Sequence, residues 1–208
     1  MPWHRKIKFA KFHSSIYLKV EALKQVIRQM IRISETEMEG FLKPCFLKSF
    51  RKKELLSEAG VVPNEIFFIE KGLLRVVITD RDGNEHSIHF AFENQFIADY
   101  SSFMRKVPSI QTLQALEETR VVVMPRQAIE WGYQNLTEGD KMGRLIAEFY
   151  FIYQDNRINN QYARTPKERY EAIGEVFPGI QNRVPQHMIA SYLGITPVHL
   201  SRLKRPGS

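Results

Sequence analysis

QHMIASYLGITPVHLSRLKR, from Gln186 to Arg205, is the stretch on which the reading of this chain turns. Two helices that cross at a steep angle need a small residue where their backbones approach, a glycine free to take positive φ in the turn, and apolar residues that hold the pair together. Ala190 and Gly194 meet the first two needs, and Ile189, Leu193, Ile195, Leu200 and Leu203 meet the third. The spacing predicts a helix-turn-helix. Thr196 caps its second helix and Pro197 fits the first turn, so the helix begins with unpaired amides suited to a phosphate. Thr196, Val198, His199, Ser201, Arg202 and Lys204 are the candidate DNA-binding residues. Arg202 is long enough to bond the O6 and N7 edge of guanine, and Val198 offers an apolar surface to a thymine methyl. His199 and Ser201 are suited to base or phosphate. From Arg164 onward seven Lys and Arg stand against three Glu, within a chain of net charge +7, as phosphate neutralisation requires. The plain alternative is an αα-hairpin with a solvated basic face.

Working back from this motif, Thr165-Pro166-Lys167-Glu168 is a capping box with proline in the first turn. It ends one helix and starts another, which places a boundary and hinge near Ala163 to Thr165. Before it, Met142, Leu145, Phe149, Ile152, Asn156 and Asn159 recur at spacings of three and four, a coiled-coil seam. Met142, Leu145, Phe149, Ile152 and Asn156 are the candidate dimer interface, with Asn156 fixing register. The competing reading packs the stripe on the chain's own β-structure.

Between Cys45 and Met124 the period shifts to two. Leu74, Val76 and Ile78 are expected on one face of a strand, with Arg75, Val77 and Thr79 on the other; Ile88, Phe90 and Phe92 repeat the pattern. Asp80 to Asn84 (DRDGN) and Lys71-Gly72 supply turns. Several short strands at this spacing predict an antiparallel roll, barrel or sandwich. Ser14 to Ile31, with Ile16, Val20, Leu23, Val26, Ile27 and Met30, reads as an amphipathic helix. Ser34 and Glu37 form a capping box for a second helix that Pro44 stops. The expected units are residues 1–33, an extension and helix; 34–135, a β-roll sensor; 136–163, a dimerisation helix; and 164–208, a helix-turn-helix domain.

The 208 residues, 43% hydrophobic and 25% charged, have globular composition. The longest apolar runs, such as Glu65 to Val77, are too short and too charged to span a bilayer, and the basic start MPWHRKIKFAKFH has no signal-peptide pattern. A cytoplasmic protein without a membrane is expected, Trp3 to Lys11 being read as a tail. Cys45, the single cysteine, excludes an internal disulfide and any all-cysteine metal or iron–sulfur site; it is expected on a buried strand. His86 and His89, an odd number apart and expected at the surface, point to opposite faces of a strand and cannot easily share a metal. No nucleophile–base pair or glycine-rich phosphate loop occurs, so an enzyme is not expected.

With FFIEKGLLRVVITDRDGNEHSI in the strand region and IASYLGITPVHLSR at the end, the chain resembles the Crp/Fnr superfamily from about Phe41 to Lys204, and in particular its shorter Bacteroidetes members. The resemblance implies an α+β fold: a cyclic-nucleotide-binding-like β-roll (a double-stranded β-helix), a long dimerisation helix and a helix-turn-helix. It also implies a homodimeric transcription regulator on double-stranded DNA with a palindromic operator, and RNA polymerase as a further partner. In cyclic-nucleotide-binding members a Gly-Glu pair holds the ribose and an Arg-Ser pair the phosphate. Here Asn94 to Thr112 is the equivalent stretch, with Ala98-Asp99 and Ser109-Ile110 in those places. The candidate effector pocket implied is Phe96, Ala98, Asp99, Tyr100, Ser101, Arg105, Ser109, Ile110 and Gln111. The phosphate arginine is missing, and an unpaired buried phosphate is costly, so no cofactor and no cyclic nucleotide is expected unless Arg105 or Lys106 reaches in. The alternative function is a ligand-binding or protein-interaction module with a degenerate helix-turn-helix. Many members follow the recognition helix with a β-hairpin wing; with Pro206 ending the helix here, a helix-turn-helix domain lacking that wing is expected.

Overall fold

The computed structural model describes residues 20–205. Ser14 to Lys19 of the expected first helix, the basic start, and Pro206 to Ser208 lie outside the described residues. Two helices lead in, α1 (Glu21–Met30) and α2 (Glu35–Leu42). The Ser34 hydroxyl accepts from the Glu37 amide at 3.3 Å and the Glu37 carboxylate accepts from the Ser34 amide at 2.9 Å, the capping box read from sequence.

Eight strands follow: β1 (Phe46–Phe50), β2 (Leu55–Ser57), β3 (Glu65–Lys71), β4 (Leu74–Thr79), β5 (Glu85–Ala91), β6 (Phe96–Ile97), β7 (Gln111–Ala115) and β8 (Thr119–Pro125), with helix α3 (Tyr100–Arg105) between β6 and β7. They form two four-stranded antiparallel sheets, ordered β1-β8-β3-β6 and β2-β7-β4-β5. Phe50, Phe67, Ile69, Leu74, Leu113 and Val123 fill the space between them. Cys45 precedes β1 instead of lying in a strand. It is half-buried, its Sγ donates to the Phe41 carbonyl at 3.5 Å, and burial pushes the thiol up to about 12.

The expected alternation holds in part. Leu74 and Val76 face the inter-sheet core, but Arg75 and Val77 are buried too, because a second layer covers the outer face. In β5 the register shifts: Val76 pairs with His89 and Val77 with Ser87, leaving Ile88 as an extra residue. Ile88 therefore packs into the inter-sheet core while Phe90 and Phe92 turn to the covering layer.

That layer is the C-terminal part of the chain. After α4 (Arg126–Asn135) comes the 25-residue α5 (Gly139–Ala163), then α6 (Pro166–Val176), α7 (Ile180–Arg183), α8 (Gln186–Leu193) and α9 (Pro197–Leu203). The break between α5 and α6 falls where the sequence placed it, with Thr165 and Glu168 closing a capping box. Leu73, Phe90 and Leu116 of the roll share one core with Ile173, Phe177, Ile180, Val184, Ile189, Leu193 and Leu200. Among the described residues no helix is long and apolar enough to cross a membrane.

Candidate nucleic-acid interface and effector pocket

The turn between α8 and α9 is built as its residues require. Gly194 takes φ 67°, ψ 35°, a left-handed conformation that costs a residue with a Cβ, and its amide and that of Ile195 close the end of α8 on Ser191 and Ala190 at 3.1 and 3.0 Å. The Thr196 hydroxyl accepts from the His199 amide at 3.1 Å. Ala190 and Leu200 are buried where the helices meet, and Thr196, Val198, His199, Ser201, Arg202 and Lys204 are all exposed. The six residues lie on one short basic element with its inner side in the core.

In the stretch assigned to an effector, Ala98, Asp99 and Ser109 are buried. Asp99 caps α3, accepting from the Ser102 amide at 3.1 Å, and its other oxygen accepts from the Ser109 hydroxyl at 2.7 Å. The Gln111 amide donates to Ser109 Oγ at 2.9 Å. The positions that the resemblance gives to ribose and phosphate thus bond to each other. Phe96 packs on Phe68 with ring centroids 5.2 Å apart, and Tyr100 stacks on Tyr150 at 6.2 Å. Ser101, Arg105 and Ile110 are exposed, and Lys106 turns to Glu130 at 3.6 Å. The structure brings Asp99, Ser109 and Gln111 together and leaves Ser101, Arg105 and Ile110 at the surface.

On α5, Met142 is drawn into the core under α1 and α2, with Ile146 beside it, and the Tyr150 hydroxyl donates to the Phe96 carbonyl at 2.6 Å. Leu145 is half-buried. Phe149 and Ile152 are 49% and 47% exposed, and Asn156, Phe151, Ile158 and Tyr162 are exposed as well. The expected seam is thus divided, its first residue on the roll and its later ones open.

Sequence reasoning missed the joint between roll and C-terminal helices. Arg183 of α7 donates to both Glu93 oxygens at 2.9 and 2.8 Å and to Glu117 at 2.6 Å, and its guanidinium lies 5.2 Å from the Phe92 ring. Hydrogen bonds to these carboxylates raise the Arg183 pKa above its already high value. The Ser87 amide donates to Ser191 Oγ of α8 at 2.9 Å. His89, expected at the surface, instead packs between strand and helices, 4.4 Å from the Tyr153 ring and 5.8 Å from Phe177. Its Nδ1 is shielded without a partner, and burial, then the Arg157 charge, lowers its pKa to about 3. His86 is exposed as expected and pairs with Asp80 at 2.7 Å. The extra residue at Ile88 breaks the simple alternation behind the opposite-faces expectation, yet the two rings meet different neighbours. No metal-holding group of His, Cys, Asp or Glu occurs among the described residues. No sequence signal marks Arg183 or His89, whose partners are distant in the chain.

These features define a β-roll of the cyclic-nucleotide-binding kind, with a long helix and a small helical unit docked on its outer face. Residues 47–135 match the cyclic nucleotide-binding domain family. Solved structures of similar fold include FixK2 from Bradyrhizobium japonicum (14% identity, TM-score 0.66, covering 76% of this chain and 82% of that one). A protein of Eubacterium rectale assigned as a transcriptional regulator of the Crp/Fnr family is similar at 13% identity and TM-score 0.66, covering 82% of each chain. The c-di-GMP responsive global regulator CLP of Xanthomonas campestris is similar at 10% identity and TM-score 0.63, covering 82% of this chain and 89% of that one. No curated protein matches in sequence. The fold is that of Crp/Fnr regulators.

Proposed function

We propose that this chain is a sequence-specific DNA-binding transcription regulator of the Crp/Fnr type, acting as a homodimer. The observation that carries the reading is α9: its inner residue Leu200 is buried while Thr196, Val198, His199, Ser201, Arg202 and Lys204 stand exposed on it and at its end. A capped basic helix so presented fits the major groove, where Arg202 would read guanine. Dimerisation through the open stripe of α5 places two such helices about one turn of DNA, roughly 34 Å, apart and makes the operator palindromic. RNA polymerase is the further partner this reading implies.

The effector is not a cyclic nucleotide on this reading. Ser109 stands where the phosphate arginine would be, and its hydroxyl is engaged with Asp99 at 2.7 Å. Selection from a random DNA pool, comparing wild type with Arg202→Ala at two salt concentrations, tests the function. An enriched palindrome that the variant fails to select is the expected result. No enrichment, with or without an added effector, would refute it in favour of a module that does not read DNA. A low-micromolar cyclic AMP constant by calorimetry would refute the effector reading, and a monomer at micromolar concentration the dimer.

A further inference from the structure

The joint between the roll and the helical unit closes over a titratable ring. His89 of β5 lies with its ring 4.4 Å from Tyr153 of α5 and 5.8 Å from Phe177 at the end of α6, and its Nδ1 is shielded from water with no hydrogen-bond partner. A neutral imidazole can leave one nitrogen bare and carry its proton on the other, whereas the imidazolium must donate from both. A charged donor shut away from water without an acceptor is costly. The docked joint therefore fits the neutral ring and rejects the cation.

The charges around the ring act in the same direction. The charged group that acts on His89 is Arg157 of α5, itself a cation, whose guanidinium lies 5.5 Å from the Tyr192 ring of α8. Tyr153 and Tyr192 stand with their hydroxyls 3.2 Å apart, and burial raises both phenols, so neither supplies a negative charge. On the strands Arg75 of β4 is matched by Glu85, and across the joint Arg183 of α7 by Glu93 and Glu117. Among the described residues no carboxylate offsets Arg157 at the ring; burial first, then the Arg157 charge, bring the His89 pKa from an ordinary 6.5 to about 3. The position of His89 ties this to docking. Two residues before it the Ser87 amide donates to Ser191 Oγ of α8 at 2.9 Å, and next to it Phe90 meets Phe177 and Tyr192 at 5.7 Å each. One short segment of β5 thus holds α5, α6 and α8.

We propose that His89 makes the docking of the helical unit on the roll proton-sensitive: the imidazolium is accommodated only when the helices have come away from β5, so mild acid releases the unit that carries the helix-turn-helix. A group whose pKa is lower docked than free contributes docking stability that is full above the free value and is lost as pH falls toward the docked one. With 6.5 for the free ring and about 3 for the docked one, docking weakens about tenfold for each pH unit below the free value, or about 30-fold by pH 5. The inference rests on the joint alone and is independent of whether α9 reads DNA.

Hydrogen exchange of the full chain, resolved by peptide and corrected for the intrinsic pH dependence of amide exchange, tests it at about pH 7.5 and about pH 5. Both lie above the pKa of Glu93, held below 4.5, so its pairing with Arg183 persists across the window. Wild type is expected to lose about 30-fold in protection over residues 166–203 and none over 121–124 of β8. His89→Phe, which keeps a ring among these aromatic neighbours, is expected to lose less than about threefold; His89→Gln takes its place should its circular dichroism differ from wild type. His86→Asn and His187→Asn, at exposed positions, are expected to keep the wild-type loss. Wild-type protection that does not change between the two pH values, an equal loss in the His89 variant, or a loss that vanishes in either control would overturn the proposal. So would an equal loss over β8, since acid would then open the whole molecule.

Discussion

Truncating Phe177 should release the helical unit from the roll. The ring is 2% exposed and meets five others: His89, Phe90 and Phe92 of the β5 region at 5.8, 5.7 and 5.9 Å, Tyr153 of α5 at 6.4 Å and Tyr192 of α8 at 5.2 Å. Its ring touches the strand, the long helix and α8 together. Phe→Ala in such a site costs about 3–5 kcal/mol. The aromatic pair energies, about 0.5–1.5 kcal/mol each, overlap with that figure and are not added. Against a stability of about 5–15 kcal/mol, the loss falls on docking first. Hydrogen exchange resolved by peptide is the assay. In Phe177→Ala, residues 166–203 should exchange roughly 100- to 4,000-fold faster, one decade per 1.4 kcal/mol, while the β8 core at 121–124 keeps its protection. Phe177→Leu, nearly conserving volume, should cost about 1.5 kcal/mol or less. Acceleration below about tenfold would mean the ring does not hold the joint. Equal acceleration in β8 would mean that roll and helices open as one unit.

Arg183→Met should flatten the acid limb of the stability curve. Burial alone raises the Glu93 carboxyl, but the Arg183 hydrogen bonds and the Gly72 amide outweigh it and hold the pKa below 4.5; that stability is full above the unfolded value and lost as pH falls through the folded one, which acid titration of both proteins will read. Gly194→Ala should lower stability by about 1–2 kcal/mol, measured by urea unfolding, since φ is 67° and a Cβ would run into the Gln161 amide. Cys45, its thiol pushed up to about 12 by burial, should react with a disulfide reagent at pH 8 far more slowly in the native protein than in urea; equal rates would contradict the burial.

The parts of this fold that could be read in the sequence are those fixed by residues a few positions apart. Ser34 with Glu37, and Thr165 with Glu168, close their capping boxes across three residues, and Gly194 marks a turn by its own backbone freedom. Alternation in β4 and β5 shows that both faces carry apolar groups. It does not show what covers the outer face, nor that Ile88 is an extra residue that turns Phe90 and Phe92 away from the inter-sheet core. The joint was hidden for a different reason. Arg183 is 90 residues from Glu93 and 66 from Glu117, and a lone arginine carries no mark of its partner. At the effector stretch the sequence located Ser109 and Asp99 by likeness. Only the fold shows that they bond to each other.

The long helix α5 makes the same distinction between a stripe and its occupant. The roll takes Met142, Ile146, Tyr150 and Tyr153, spaced by four, four and three. The residues left open, Phe149, Ile152 and Asn156, are spaced by three and four and start one position before Tyr150. At about 100° per residue the two stripes lie side by side on the helix. A helix apolar over so wide an arc has to be buried on more than one side, and the chain's own roll covers only one. In the proposed dimer the partner's helix covers the other, and each α5 is then wedged between its own roll and its twin. Any shift of roll against helix must move the twin as well. That makes Ile152→Asp a sharper probe than a core substitution: it removes the open stripe, leaves Met142 and Tyr150 in place, and should yield a folded monomer by light scattering. A dimer that survives it would mean that the open stripe is not the interface.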